Sequence, residues 1–470
     1  MASIAVNKRS TSIWSSLLEA IRGTHQDFTE GSISRAVFLL ATPMVLEMLM
    51  ESLFAIVDVF WVTRLGADAV ATVGLTESML TLVFSVAIGV SMSTTAMVAR
   101  RIGEKDNDGA ATAASQAILL GVVVAVLMGL PGVFFAKDLL AFMGASPALI
   151  ASGHIYTSVV FGGSVSVLLL FLNNAIFRGA GDAAVAMRVL WFSNIINLVL
   201  DPCFIFGIGP FPALGVTGAA VATLTGRSLG VVYQLWILHR GTGRIQVKLR
   251  SIRLVPRVFG SLIRVSSTGV LQFAIAHTSW ILLVRIISAF GSFALAGYTI
   301  GIRIFIFVIL PSWGLSGAAA TMVGQNLGAG KPQRAQRAVY LTAAYNLLFL
   351  GTVAIAFIAI PEQLVHIFTS EAEVTPFAID CLRIVAFGNL FYAFGMVMVQ
   401  AFNGAGDTVT PTIINFFGFW LAEIPLAWIL AFPLHHGVRG VFTAIPIAEF
   451  LMTVMSFMAF LRGRWKRAVI

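Results

Sequence analysis

The sequence predicts an all-α membrane protein, with twelve transmembrane helices in two pseudo-symmetric six-helix lobes, and three observations predict it. Of the 470 residues 58% are hydrophobic and only 11% charged, against roughly 25% charged in soluble domains. Twelve apolar runs are long enough to cross the hydrocarbon core, roughly 30 Å thick, as helices. The chain also repeats itself at an offset of 225 residues. Gly66 and Ala69 match Gly291 and Ala294, Val98 and Gly103 match Val323 and Gly328, and Gly179-Ala180-Gly181-Asp182 matches Gly404-Ala405-Gly406-Asp407. Six spans per half is an even number, so both copies start on the same side. The repeats are then parallel, with a cavity expected between them near the midplane.

Residues 1–35 are polar, with Lys8, Arg9 and Arg22 and no apolar core of signal-peptide type, and read as a cytoplasmic segment with a short surface helix. Runs at 36–63, 70–99, 110–136, 151–177, 185–208 and 215–238 make the first lobe, 36–238. A polar tether, 239–258, leads to runs at 259–287, 293–323, 338–361, 376–402, 409–433 and 438–461, the second lobe within 259–462, and to a tail, 463–470. The Gly-Ala-Gly-Asp tetrads follow the fourth and tenth spans, where a tight reversal needs glycine at positive φ and an Asp can cap the next helix. No strand precedes them and no G-x-x-x-x-G-K-[ST] follows, so they are poor nucleotide sites.

Of the 30 Lys and Arg, only Arg64, Lys137, Arg285 and Arg439 fall outside when the N-terminus is placed inside. Arg227, Arg303 and Arg383 lie within apolar runs, and the rest, Arg178 included, are cytoplasmic. That asymmetry orients the chain with both termini in the cytoplasm. The net charge of +9 is scattered over short loops and reports topology, so no nucleic-acid partner is expected. Cys203 and Cys381 sit in apolar runs and the 7 histidines show no metal spacing, which argues against a disulfide framework, a metal site or a resident cofactor.

The first span carries Glu47, Glu51 and Asp58, which fall on one helical face. Ionisable groups at that depth cost roughly 2.5 to 3.5 kcal/mol and usually face a bundle interior or a wet path. The alternative is that they pair with buried donors and lock helices together. The repeat supplies a control: Asp58 corresponds to Leu283, Glu47 to Gln272 and Glu51 to Ala276. The fifth span carries Asn197 and Asp201, whose counterpart region around Trp420 to Ala427 has Glu423 and no Asp. Counted inward from Arg64, Pro210 and Gly215, Asp58, Asp201 and Thr223 lie roughly 9 to 13 Å below the outer boundary, with Asn197 one turn deeper on the Asp201 face. Two carboxylates with an amide and a hydroxyl oxygen suit a hard cation such as sodium, and in low dielectric the same pair attracts a proton. A structural role for Asn197 and Asp201 beside the Pro202 kink is the other reading. Arg303 and Glu423 need partners, either each other or water, whereas Glu77 and Glu449 suggest no role.

V-D-V-F-W-V-T-R-L-G in the first span, A-x-V-G-L in the second, R-G-A-G-D after the fourth, N-L-V-L-D-P in the fifth, G-A-A-V-A-T in the sixth and N-G-A-G-D after the tenth resemble the multidrug and toxic compound extrusion family, over nearly the whole chain. The resemblance implies a cation-coupled antiporter, driven by sodium or protons, that exports cationic or amphipathic organic compounds by alternating access. No enzymatic activity is expected, since no nucleophile and base pair stands out. The cation site would fall on Asp58, Asn197, Asp201 and Thr223, with Glu47, Glu51, Gln272 and Glu423 as cavity or coupling candidates. The seventh span has Gln272 and no carboxylate, which favours the first-lobe site. The expected setting is a monomer in the cell membrane whose partners are the bilayer and a small organic substrate. A lipid-linked oligosaccharide flippase of the same superfamily is the alternative, and would need more cationic groups in its cavity.

Overall fold

A computed structural model describes residues 13–24, 26–241, 243–247, 253–468 and 470. The N-terminal charges Lys8 and Arg9 and the tether charges Lys248 and Arg250 lie outside the described residues. Lipid offers a backbone no hydrogen bonds, so an apolar chain must satisfy its amides within helices or a closed barrel; among the described residues this chain is helical, with no strand. The first half comprises α1 (Ile13–Arg22), α2 (Ile33–Thr63), α3 (Ala67–Gly103), α4 (Asn107–Phe134), α5 (Ala136–Phe142), α6 (Pro147–Gly162), α7 (Ser164–Ala180), α8 (Ala183–Phe206) and α9 (Val216–Arg240). The second comprises α10 (Pro256–Ser288), α11 (Ser292–Gly328), α12 (Pro332–Ala359), α13 (Pro361–His366), α14 (Thr375–Ala405), α15 (Val409–Asn415), α16 (Ile424–Ala431) and α17 (Gly437–Leu461).

Among the described residues ten spans are long and apolar enough to cross a membrane by length and composition. In that set α6 and α7 stack into one span broken at Gly163, and α15 and α16 form another through a π-helical stretch, Phe416–Glu423. The remaining two of the twelve, α2 and α9, have the length, 31 and 25 residues, but carry polar groups such as Glu47, Glu51, Asp58 and Arg227. The surface helix is α1, which turns Trp14 and Leu18 outward and ties Glu19 to Arg35 at 2.6 Å. The tetrad turns repeat in the backbone, with Gly181 at φ 88° and Gly406 at φ 85°. Their aspartates have diverged: Asp407 accepts from the Thr410 amide at 3.1 Å, whereas Asp182 accepts from the Arg244 amide of the tether at 2.8 Å.

The lobes meet at the Lys- and Arg-rich end. There α3 and α11, equivalent in the repeat, cross so closely that a Cβ on Gly103 would lie 2.0 Å from the Gln325 carbonyl oxygen, and one on Gly328 would lie 2.1 Å from that of Arg100. The Thr321 hydroxyl and Gln325 amide donate to the Arg178 and Gly179 carbonyls, each at 3.0 Å. Among the described residues, the hydrogen bonds that join the lobes lie in this half. Residues 22–24 and 26–31 strap across it. Arg188 of the first half and Arg244 of the tether hold the carbonyls of Arg22, Thr24 and Gln26, and Lys331 and Arg334 of the second half hold those of Phe28, Thr29, Glu30 and Gly31. Burial acts to raise the Asp27 carboxyl in this strap, but the Thr29 hydroxyl and amide, with the charges of Lys105 and Lys331, hold it below its ordinary value.

Candidate functional site

Residues four apart on a helix share a face, so Asn197 and Asp201 project together from α8. A missing Cβ brings α9 against them: one on Gly226 would sit 2.6 Å from the Ser193 carbonyl oxygen. The Asn197 side-chain amide consequently donates to Asp201 Oδ1 at 3.2 Å and to Thr223 Oγ1 of α9 at 3.0 Å. Asn197 and Asp201 are buried, yet among the described residues Asn197 Oδ1 and Asp201 Oδ2 have no hydrogen-bond partner. Leaving such an atom buried and unbonded costs about 1 to 3 kcal/mol, more for a charged group, so the pair has capacity for a ligand. Asp58 of α2 lies within electrostatic reach of Asp201, of Glu77 on α3 and of Arg227 on α9, and the Tyr156 hydroxyl of α6 lies within electrostatic reach of the same acids.

The structure thus brings Asn197, Asp201 and Thr223 into direct contact and Asp58 into their neighbourhood. Glu77, which the sequence left without a role, and Tyr156, which it missed, belong to the same cluster. Only their shared depth in neighbouring spans could have signalled them. Among the described residues no group of three or more His, Cys, Asp and Glu is placed to hold a metal ion. What this set offers instead is a mixture of carboxylate, amide and hydroxyl oxygens for a weakly held hard cation or a proton.

One turn and more toward the basic end, Glu47 and Glu51 face a cavity of about 300 Å³ between the lobes. Met44, Met48, Phe84 and Phe171 wall it from the first lobe, and Leu310 and Trp313 from the second. Glu47 accepts from the Asn174 amide at 3.0 Å and lies 3.6 Å from Arg178 Nη1. Glu51 accepts from Asn194 at 3.3 Å and lies 3.9 Å from Arg227 Nη2. One sequence expectation is corrected here. Arg178 is not a loop residue but stands in the last turn of α7 with its guanidinium in the cavity wall. Of the two readings of the stripe, Glu47 and Glu51 follow the one in which acids pair with buried donors, because each has an arginine and an amide beside it.

Gln272 and Glu423 do not reach that wall. Gln272 is buried with Oε1 unpartnered, and Glu423, also buried, accepts from Ser279 Oγ at 3.4 Å. Glu423 interacts electrostatically with Glu449 on α17. Of the two partners the sequence allows Arg303 and Glu423, each other or water, the mutual pair is absent among the described residues; Arg303 is exposed and within electrostatic reach of Glu77 in the other lobe.

A family model described as MatE matches residues 43–203 and 270–429, one segment in each lobe. A probable multidrug resistance protein NorM of Thermotoga maritima is 28% identical over 444 residues, covering 93% of this chain and 94% of the relative. An FAD transporter of Shewanella oneidensis is 27% identical over 430 residues, covering 90% and 94%. A solved structure of a multidrug resistance MATE family transporter in an outward-facing conformation superimposes with a TM-score of 0.87 at 24% identity, over 94% of this chain and 98% of that one.

Proposed function

The chain belongs to the MatE family of multi-pass membrane transporters, and from that premise we propose that it is a cation-coupled antiporter that exports amphipathic organic compounds by alternating access between its lobes. The observation that carries the coupling reading is the pair of buried, unpartnered oxygens on Asn197 and Asp201, set beside Thr223 and within reach of Asp58. A monovalent cation or proton held there would satisfy both oxygens, and its release would leave them bare. The site's energy therefore depends on occupancy, which is what coupling requires. The neighbouring cavity, with methionine and aromatic walls, takes the organic compound. With the basic end in the cytoplasm, the crossing of α3 and α11 closes the inner side, so this arrangement faces outward. The protein works as a monomer of the cell membrane, with both termini inside.

The test is uphill export of a fluorescent amphipathic compound by purified protein in vesicles, with sodium and pH gradients imposed separately. Export driven by at least one gradient, and collapsed by dissipating it, is expected. Movement of the compound only down its own gradient, whichever ion gradient is present, would remove the coupling reading.

A further inference from the structure

The cavity wall holds two guanidiniums whose hydrogen-bonding capacity is unspent. Each guanidinium carries five N–H donors. Several other arginines commit donors at short range, as in Arg35 to Glu19 at 2.6 Å, Arg188 to a carbonyl at 2.7 Å and Arg439 to Asp380 at 2.7 Å. Arg178 and Arg227 differ. Their carboxylates stand off at 3.6 and 3.9 Å, well beyond the charge-assisted bond length of about 2.7 to 2.9 Å. Neither guanidinium donates a hydrogen bond among the described residues. Their side chains are only 22% and 11% exposed, so the cavity is what they face. Glu47 and Glu51 are meanwhile fixed from the other side by Asn174 and Asn194.

A second observation points the same way. Ser91 Oγ and both amide atoms of Asn403 are buried without partners, and both residues line this cavity. Asn403 comes from the second lobe, so each lobe brings a residue with unsatisfied polar atoms to the wall of one volume. Beside them Trp313 presents a flat face, held by stacking on Phe273 at 5.7 Å.

We propose that this cavity recognises an aromatic organic anion, a phosphate ester or carboxylate joined to a planar ring. Arg178 and Arg227 take the anionic oxygens, Ser91 and Asn403 add hydrogen bonds, and Trp313, Phe84 and Phe171 pack the ring. The inference rests on the reading of this cavity as the transport cavity. An anion exchanges two long ion contacts for short, forked arginine bonds. A cation gains less, because each acid it would meet already has a guanidinium and an amide beside it.

Binding of three matched probes to the purified full-length protein in lipid nanodiscs, with no gradient present, tests it. 1-Naphthyl phosphate should bind about tenfold or more tightly than 1-naphthol, and more tightly than a naphthyl trimethylammonium ion, since hydrogen bonds to charged groups are worth that much. Arg178→Gln and Arg227→Gln should each bring 1-naphthyl phosphate binding down to the level of 1-naphthol measured on the same variant. Because losing one arginine strands its glutamate, the paired change Glu51→Gln with Arg227→Gln, which preserves shape and net charge, should do the same. Equal binding of phosphate and naphthol, tighter binding of the cation, no binding of any probe, or a phosphate preference that survives both arginine changes overturns the inference. Anion binding without gradient-driven export would defeat only the coupling reading, and coupled export confined to cations would defeat only this one.

Discussion

Asp201 has one carboxylate oxygen held by Asn197 and one with nothing to bond to, and Asp58 stands close enough to feel its charge. If these two acids share the driving cation, Asp58→Asn and Asp201→Asn should each abolish uphill export at normal abundance, because an amide keeps the shape and loses the charge. The double change should cost no more than either single one, since each empties the same site. Glu423→Gln, in the other lobe and outside the cavity wall, should be milder. Wild-type export by Asp58→Asn protein in the vesicle assay would sink this assignment. Much of the cluster was legible in the sequence, because a helix rises a fixed 1.5 Å per residue and depth can be counted from the ends; Asn197, Asp201 and Thr223 were placed that way. The arginine partners were not. Arg178 precedes a glycine-rich turn and so reads as a loop charge, and which way its side chain swings depends on neighbours that sequence distance does not reveal. Glu47 and Glu51 turned out to follow the reading in which acids pair with buried donors.

The helices show the same division between what is local and what is not. The turns after α7 and α14 were readable because glycine at positive φ leaves a compositional mark. The break at Gly163 and the π-helical stretch Phe416–Glu423 lie inside continuous apolar runs and leave none. Gly103 and Gly328 were found as a repeat pair, but only the fold shows why they are small: each backbone rests on a carbonyl of the opposing lobe. A valine at 103 would put its Cβ 2.0 Å from a carbonyl oxygen that cannot move without moving α11. Gly103→Val should therefore insert and fold within each lobe yet fail to close the basic end. A cysteine replacing Thr321, shielded at this crossing, should then become reactive to a thiol reagent added on the basic side, and export should fall to background. Gly103→Ala should shift both readouts in the same direction. Normal export by Gly103→Val protein would mean that the crossing is not part of the cycle.

At the scale of the whole molecule, closure of the basic end is fastened twice, once from each direction. The strap at 22–24 and 26–31 starts on the first lobe and is gripped by Lys331 and Arg334 of the second. The C-terminal tail starts on the second lobe, where buried Trp465 stacks on Phe460 at 4.7 Å, and Arg100 of the first lobe donates to its Ala468 carbonyl at 2.6 Å. Neither fastening survives if the lobes part at this end, so both bias the equilibrium toward the outward-facing arrangement proposed above. Asp27 adds a pH term with a definite sign. A carboxyl held below its ordinary value stabilises the strap above that value, and the contribution is lost only as pH falls through the lower, folded value, so it is complete near neutrality and fades in acid below about pH 4. Arg334→Gln removes charged donors to three carbonyls in a partly exposed setting. About 1.4 kcal/mol of lost bias, a tenfold shift in population, is a fair expectation. A single cysteine at Met92 in the cavity wall reads that shift: in inverted vesicles its labelling by an impermeant reagent should quicken about tenfold in Arg334→Gln protein, while labelling from outside in intact cells slows. Arg100→Gln should act in the same direction through the tail, and the two together should shift the balance further than either alone, because the fastenings share no partner. A cysteine at Gln26 should label only in inverted vesicles, which fixes the strap to the cytoplasm. Labelling from outside there would reverse the proposed orientation, and unchanged Met92 labelling in the double variant would mean the straps follow the lobes without holding them.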